Sequence, residues 1–310
     1  MAELRFDDRV AVITGGGRGL GRAYALLLAA RGAKIVVNDP GVSMSGDATD
    51  AKDSEGGPAD ALVAEIKAAG GQAVASLDSV ATPEGAKAIV QTALDAFGRV
   101  DILIHSAGNV RRGSLTELSY EDFESVLAVH LKGAFNMVRE AMPVMTAQNY
   151  GRIVLTGSIN GLYGKANNAT YALCKAGFMG LSNTAAIEGK DAGIKSNVII
   201  PAAVTRMSAG IDTSKFPPME PEMVAPAVAW LSHEDCSISG EMLVAMGGRV
   251  ARAFIAESEG VFRQDWTIED VASDIDAIRA ADKPLVFAPV PQGELDHLLF
   301  GFDMARKHGA

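Results

Sequence analysis

Cysteine is almost missing from this chain. Two thiols in 310 residues cannot build a disulfide framework or a cysteine-rich zinc site, and they fit a reducing compartment. No uninterrupted apolar run approaches the ~18 residues of a membrane-spanning helix, so no membrane segment is expected. The opening MAELRFDDR lacks the basic-then-apolar order of a secretory signal. Basic charge is short as well: 28 Lys and Arg face 38 Asp and Glu, a net charge of −10. That balance argues against a protein that tracks nucleic-acid phosphates. Proline, at 12, is sparse beside 33 glycines, which suits tight turns and close backbone approaches to a ligand. What is present, 48% hydrophobic and 21% charged residues, describes an enzyme-sized soluble chain. It can bury one large core, with or without an appendage.

Short β-branched runs recur at 10–14, 34–38, 73–78, 101–106, 152–156, 195–200 and 242–245, with helical periodicity between them, as at 22–31 and 83–97. This alternation predicts βαβ units and a doubly wound α/β Rossmann fold. Its seven-stranded parallel sheet would be flanked by helices on both faces. Ligands on such sheets bind at the carboxyl ends of the strands. Two segments break the rhythm. Residues 41–58 form a Gly/Ser/Asp-rich loop, long for a strand-to-helix connection and expected to be mobile. The core is expected to occupy 1–248, leaving 249–310 as an extension packed on the core or on a partner subunit. Within it, Thr267 and Asp270 form a capping-box pattern opening a helix to about residue 281, before Pro284, Pro289 and Pro291 interrupt regular structure.

The run Thr14-Gly15-Gly16-Gly17-Arg18-Gly19-Leu20-Gly21 follows the first strand and opens the first helix. Glycines there let backbone N–H groups approach a pyrophosphate at a helix N-terminus. Gly15, Arg18, Gly19 and Leu20 are therefore candidate cofactor residues. Asp39 ends the second strand, where a carboxylate can accept from both adenosine ribose hydroxyls and repel a 2′-phosphate, favouring NAD over NADP. Arg18 cuts the other way, since a guanidinium in this loop could reach a 2′-phosphate. Asp39 decides the expectation, because a long arginine can swing aside.

Tyr171 and Lys175 lie four apart in a helical stretch, on one face. A phenol is a poor acid–base catalyst at neutral pH, but an ammonium one turn away is expected to lower its pKa. Ser158, just after the fifth strand, could hydrogen-bond a carbonyl or alkoxide oxygen while Tyr171 exchanges the proton.

With these motifs, residues 6 to about 248 resemble the short-chain dehydrogenase/reductase family. The resemblance rests on the T-G-x-x-x-G-x-G turn, Asp78, Ser106-Ala107-Gly108, Ser158, Tyr171-x-x-x-Lys175, and the stretch from Pro201 to Thr205. It implies hydride transfer between a secondary alcohol or ketone and nicotinamide. Asp78 and Ser79 would lie among the cofactor contacts, Asp78 at the adenine. Lys175 would contact the nicotinamide ribose and Thr205 the carboxamide, with Val204 a further cofactor contact. Stretches such as GLGRAYALLLAARGAKIVVNDPG and VHLKGAFNMVREAMP narrow the resemblance to the dehydrogenase units of peroxisomal multifunctional enzymes of type 2. Those units oxidise (3R)-hydroxyacyl-CoA thioesters and act on 17β-hydroxysteroids. The family's oligomers imply a homodimer or homotetramer through long helices near 121–145 and 175–188. No Ser-Lys-Leu-type ending is present, so a free-standing cytoplasmic enzyme is expected.

Two departures from the wider family stand out. His105 and Ser106 replace the usual Asn-Asn before Ala107-Gly108, and His130 replaces an Asn that holds a relay water. His130 is open to two readings, a relay imidazole or a core histidine bonded to backbone. Cys174, beside Lys175, reads as packing, because successive helix positions face different ways. Arg111-Arg112 could steer CoA phosphates or simply be solvated. Residues 207–221, with Phe216, Pro217, Pro218 and Met219, match the family's substrate lid in position. No metal site is expected. The expected substrate is a hydrophobic small-molecule alcohol or ketone. Another hydrophobic or aromatic secondary alcohol, and a non-catalytic nucleotide-binding scaffold, remain alternatives.

Overall fold

The computed structural model describes residues 3–43, 45–46, 57–206, 212 and 216–307. Seven strands run β1 Val10–Thr14, β2 Lys34–Asn38, β3 Gln72–Ser76, β4 Ile102–His105, β5 Gly151–Thr156, β6 Ile194–Ala202 and β7 Met242–Met246. Their pairings are parallel, in the order β3-β2-β1-β4-β5-β6-β7. The order reverses direction between β1 and β4. That reversal opens a crevice at their carboxyl ends.

The strands are apolar on both faces, and the alternation assigns each side. Ala11, Ile13, Ile35, Val37, Ile102 and Ile104 join one buried cluster with Tyr24 and Leu28 of α1 (Gly19–Ala30) and Leu62 and Ile66 of α2 (Gly57–Ala68). Val10, Val12, Val36 and Leu103 are equally buried but point to the opposite layer. There lie α3 (Pro83–Phe97), α4 (Tyr120–Leu127), α5 (Gly133–Gln148) and, beyond the short α6 (Ile159–Tyr163), α7 (Ala169–Glu188). Helix α8 (Ala225–Ser232) returns to the first cluster through Val228 and Leu231. Local signals set the ends of α3: Thr82 accepts from Gly85 N–H at 3.1 Å, Pro83 opens the helix, and Gly98 closes it in the left-handed region.

The amino ends of the strands are tied by charge. Asp101, fully buried, accepts from Val10 N–H (2.9 Å), Arg99 Nε (2.7 Å) and Arg9 Nη1 (3.3 Å). Buried Arg152 donates to the carbonyls of Gly151, Gly193, His233 and Glu234 at 2.8–3.1 Å.

The expected seven strands become eight. Arg249–Ala253 forms β8 beside β7. Gly247 and Gly248, both at positive φ (+53° and +79°), make the two-residue turn that folds β8 back antiparallel. Two arginines and largely exposed side chains disguise this edge strand as a loop.

The chain divides into two units, Met1–Arg252 and Ala253–Ala310. In the second, Thr267 caps α9 (Ile268–Ile278) with a reciprocal capping box to Asp270. That helix ends a little short of the expected residue 281. A further helix, α10 (Leu295–Lys307), follows the prolines. Among the described residues no helix is long and apolar enough to cross a membrane, and none group into a cluster of His, Cys, Asp or Glu suited to a metal.

Candidate active site

A cleft of about 430 Å³ opens at the carboxyl ends of the central strands. Of the sequence-predicted residues, Gly15, Arg18, Gly19, Leu20, Asp39, Ser79, Ser106, Ala107, Gly108, His130, Ser158, Tyr171, Lys175 and Thr205 line it. Asp78 and Val204 do not. Asp78 is exposed, its carboxylate accepting from the Ser76 hydroxyl (3.2 Å), while Val204 donates its N–H to the Met219 carbonyl (2.7 Å). Residues 207–211 and 213–215 of the expected lid, and 44 and 47–56 of the expected loop, lie outside the described residues. A second hollow, lined by Glu3, Arg9, Tyr150 and Glu234 among others, sits at the amino ends of the strands, away from every candidate catalytic group.

One wall is backbone. Gly15 has φ +62°, and a Cβ there would stand 2.8 Å from the Ala107 backbone, so the turn after β1 closes directly on the turn after β4. Thr14 Oγ1 stitches them by accepting from Ser106 and Ala107 N–H, both at 3.2 Å. No side chain caps α1, which leaves the positive end of its dipole facing the cleft. Asp39 is buried at the β2 end, its two oxygens accepting from Gly17 N–H (3.2 Å) and Gly41 N–H (2.9 Å). A carboxylate offers about four acceptor positions, so capacity for ribose hydroxyls remains. A bare helix terminus, a glycine cradle that a Cβ would fill and a carboxylate at one edge fit a dinucleotide.

The opposite wall carries the candidate catalytic side chains. Ser158 caps α6, accepting from Asn160 N–H (3.2 Å), and its hydroxyl neighbours the Tyr171 phenol and favours its ionised form. Tyr171 and Lys175 share the cleft face of α7, with Nζ 5.5 Å from the phenol ring centroid. Lys175 donates to the Thr156 carbonyl (2.6 Å) and lies 4.4 Å from the Phe178 ring centroid. Burial pulls its pKa down to about 7. The expected lowering of the Tyr171 phenol is not what this geometry gives. Burial pushes its pKa up, and the neighbouring Ser158 hydroxyl offsets this only in part.

Both histidines are buried here. Thr14 Oγ1 already accepts two N–H groups, so its proton goes to His105 Nδ1 (3.0 Å), leaving the ring proton on His105 Nε2. Burial, then the nearby Lys175 charge, brings His105 down to about 3 and His130 well below its ordinary value. His130 sits in a π-helical turn, Ala128–Lys132, between α4 and α5, a local widening common at functional sites. Its Nε2 lies 3.1 Å from the Asn109 nitrogen and 2.8 Å from the Asn109 oxygen. Either tautomer therefore finds a partner. The ring meets Tyr171 edge-on, centroids 5.2 Å apart. Its Nδ1, like His105 Nε2 and Thr156 Oγ1, is buried with no hydrogen-bond partner.

A family model described as short chain dehydrogenase matches residues 9–215. The chain belongs to the short-chain dehydrogenase family. This short-chain dehydrogenase is 46% identical over 259 residues to peroxisomal multifunctional enzyme type 2 of Drosophila melanogaster, covering 83% of this chain and 42% of that protein. It thus spans under half the length of that relative. A putative short-chain type dehydrogenase/reductase of Mycobacterium tuberculosis is 42% identical over 273 residues, covering 86% of this chain and 92% of the relative. The solved structure of the full-length Drosophila enzyme aligns with a TM-score of 0.77 at 33% identity, over 99% of this chain and 51% of that one.

Several lining residues escaped the sequence reading: Asn38, Val42, Ser43, Asn109 and Thr156. Asn109 directly follows the Ser106-Ala107-Gly108 turn, and its position was the available signal. Cys174 is buried and its thiol pushed up by burial, as a packing side chain should be. Arg111 does not stand free for a phosphate: its Nε donates to the Ser45 carbonyl (3.0 Å) and it pairs with Asp122 at 3.6 Å.

Proposed function

We propose that this chain is an NAD-dependent dehydrogenase that interconverts a secondary alcohol and its ketone. The observation that carries the reading is the convergence of Ser158, Tyr171 and Lys175 on one wall of a cleft whose other wall is the glycine turn. Gly15, Gly19, Leu20, Ser106 and Ala107 would hold the dinucleotide's phosphates and its neighbouring sugars. Asp39 would accept from the adenosine ribose and disfavour a 2′-phosphate. Nicotinamide, when bound, supplies the hydride acceptor.

Ser158 would hold the substrate oxygen and Tyr171, as the phenolate, would take its proton as the carbinol carbon loses hydride; in the reverse direction the phenol would give that proton back to the carbonyl oxygen and the phenolate would form again. The ammonium of Lys175, one helical turn away, stabilises the developing phenolate more than the neutral phenol, and low surrounding polarity strengthens that difference. His130, packed against the phenol and bonded to backbone, would act as a positioning group.

For substrate, a (3R)-hydroxyacyl-CoA thioester or 17β-hydroxysteroid leads, supported by the identity to multifunctional enzymes named as peroxisomal hydratase-dehydrogenase-epimerase in Neurospora crassa and Saccharomyces cerevisiae. A smaller hydrophobic alcohol is the second reading. It draws on the cyclohexanol dehydrogenase of an Acinetobacter strain, 34% identical over 258 residues. Two buried, unpaired cysteines fit a reducing compartment such as the cytoplasm. A homodimer or homotetramer rests on the half-exposed Phe135 and Leu173 of α5 and α7. The test is NADH absorbance with NAD and NADP across hydroxyacyl-CoAs, steroids and cyclic alcohols, beside Tyr171→Phe. Turnover should fall by about three orders of magnitude or more in that variant while NAD still binds. Near-normal turnover would sink the mechanism.

A further inference from the structure

The loop leaving β2 does not turn straight into α2. Residues 40–43 and 45–46 are pinned along the cleft. Gly41 N–H donates to Asp39, Arg18 Nη1 reaches the Val42 carbonyl (3.4 Å), and the Ser45 carbonyl accepts from Arg111 Nε (3.0 Å) and Asn109 Nδ2 (3.5 Å). Asn109 and Arg111 follow β4, whereas the loop starts at β2, and β1 lies between those strands. Residues 40–43 and 45–46 therefore cross the carboxyl end of β1, a span of two strand spacings of about 4.8 Å each. Val42, Ser43 and Gly46 line the cleft from this side.

The far end is shaped to seat where it does. Gly46 N–H closes a tight turn on the Ser43 carbonyl (3.0 Å). Gly46 has φ +90°, and a Cβ there would stand 2.8 Å from Asn109 Nδ2, so the turn rests on the Asn109 amide. Asn109 is 3% exposed and is itself fixed from behind. Its amide donates to the Ser125 carbonyl (3.3 Å) and hydroxyl (3.1 Å), and its backbone meets His130.

We propose that Asn109 and Arg111 form a latch holding this strap across the cleft. They are positioning residues that set how tightly the dinucleotide is held and how fast it leaves. The proposal rests on the dinucleotide reading of the cleft given above. The Ser45 carbonyl is the strap's attachment point, and neither latch residue needs to touch the reacting atoms.

The test compares the unaltered protein with Arg111→Met, Gly46→Ala and Asp122→Asn, reading the NADH dissociation constant by fluorescence and its release rate by stopped flow. Losing the Arg111 contacts, the charged hydrogen bond to the Ser45 carbonyl among them, should raise the dissociation constant about fivefold or more, mainly through faster release. Gly46→Ala should do the same from the strap side, and Arg111→Lys should recover part of the loss. Asp122→Asn removes only the ion pair and should leave NADH binding unchanged. The KM for the alcohol should stay within about twofold in all of them. Unchanged NADH affinity and release in both Arg111→Met and Gly46→Ala, with circular dichroism showing folded protein, overturns the latch. A rise in alcohol KM without a change in NADH affinity overturns it as well. If the unaltered protein binds neither NADH nor NADPH, the dinucleotide reading itself fails.

Discussion

Replacing Lys175 with Met should remove the activity and stabilise the fold, and the size of the second effect should depend on pH. Lys175 is 7% exposed, packed on Phe178, and its Nζ has one described protein acceptor, the Thr156 carbonyl. Its pKa falls from the ordinary 10.5 to about 7. Between those values the unfolded chain binds a proton that the folded chain does not. Stability therefore rises with pH across this window, and the gain is lost as pH falls through about 7. The gap corresponds to roughly 4 to 5 kcal/mol in all. Few neighbours interfere: His105 and His130 are held neutral, and burial pushes the Cys174 thiol and Tyr171 phenol upward. Met fills similar space without charge, while leaving the Thr156 carbonyl unpaired costs about 1–3 kcal/mol. Lys175→Met should thus be about 1–3 kcal/mol more stable than the parent at pH 7. Its advantage should shrink by about 3 kcal/mol by pH 9.5. Urea unfolding of both proteins at half-unit pH steps would measure the difference. A stability difference that stays flat between pH 7 and 9.5 would refute the argument that burial of the ammonium dominates this site.

Two further substitutions follow from close contacts. Gly108→Ala would place a Cβ 2.4 Å from His130 Cε1, and the ring cannot retreat while Tyr171 lies edge-on beside it. The expected result is a loss of about 1–3 kcal/mol in denaturant unfolding together with a fall in kcat that exceeds any change in KM for NAD. A variant as stable and active as the parent would remove His130 from the catalytic wall. Asp39→Asn keeps one acceptor oxygen and removes the charge, so the ratio of kcat/KM for NAD over NADP should drop at least about tenfold. An unchanged ratio would put the cofactor choice elsewhere, with Arg18 the first residue to examine.

Much of this was legible because local and global signals agree. The runs 10–14 and 34–38 are strands with those bounds, since their apolar character is demanded on both sheet faces. Thr267 and Asp270 announce α9 through a device that works within four residues. Tyr171, Lys175 and Ser158 could be read because helix periodicity and the end of a strand place them without tertiary information. What could not be read depends on distant partners. Residues 249–253 carry two arginines and gain their strand character only from pairing with β7, although the adjoining Gly247-Gly248 was a turn signal. The rise in the Tyr171 pKa comes from burial, which spacing on a helix does not reveal. Asn109 and Arg111 find their role only when a loop two strands away arrives at them.

The two ends of the sheet are constructed for opposite purposes. At the amino ends, Asp101 and Arg152 have their polar groups answered by arginines, a backbone amide and four carbonyls. At the carboxyl ends, His105 Nε2, His130 Nδ1 and Thr156 Oγ1 find no protein partner, on the rim proposed to hold the reacting groups. Such an arrangement polarises the molecule. Breathing motions that admit ligands can be confined to one rim while the other stays closed. Lineages can then trade one alcohol for another by rewriting that rim, because the root that keeps the strands in register is fastened independently of it.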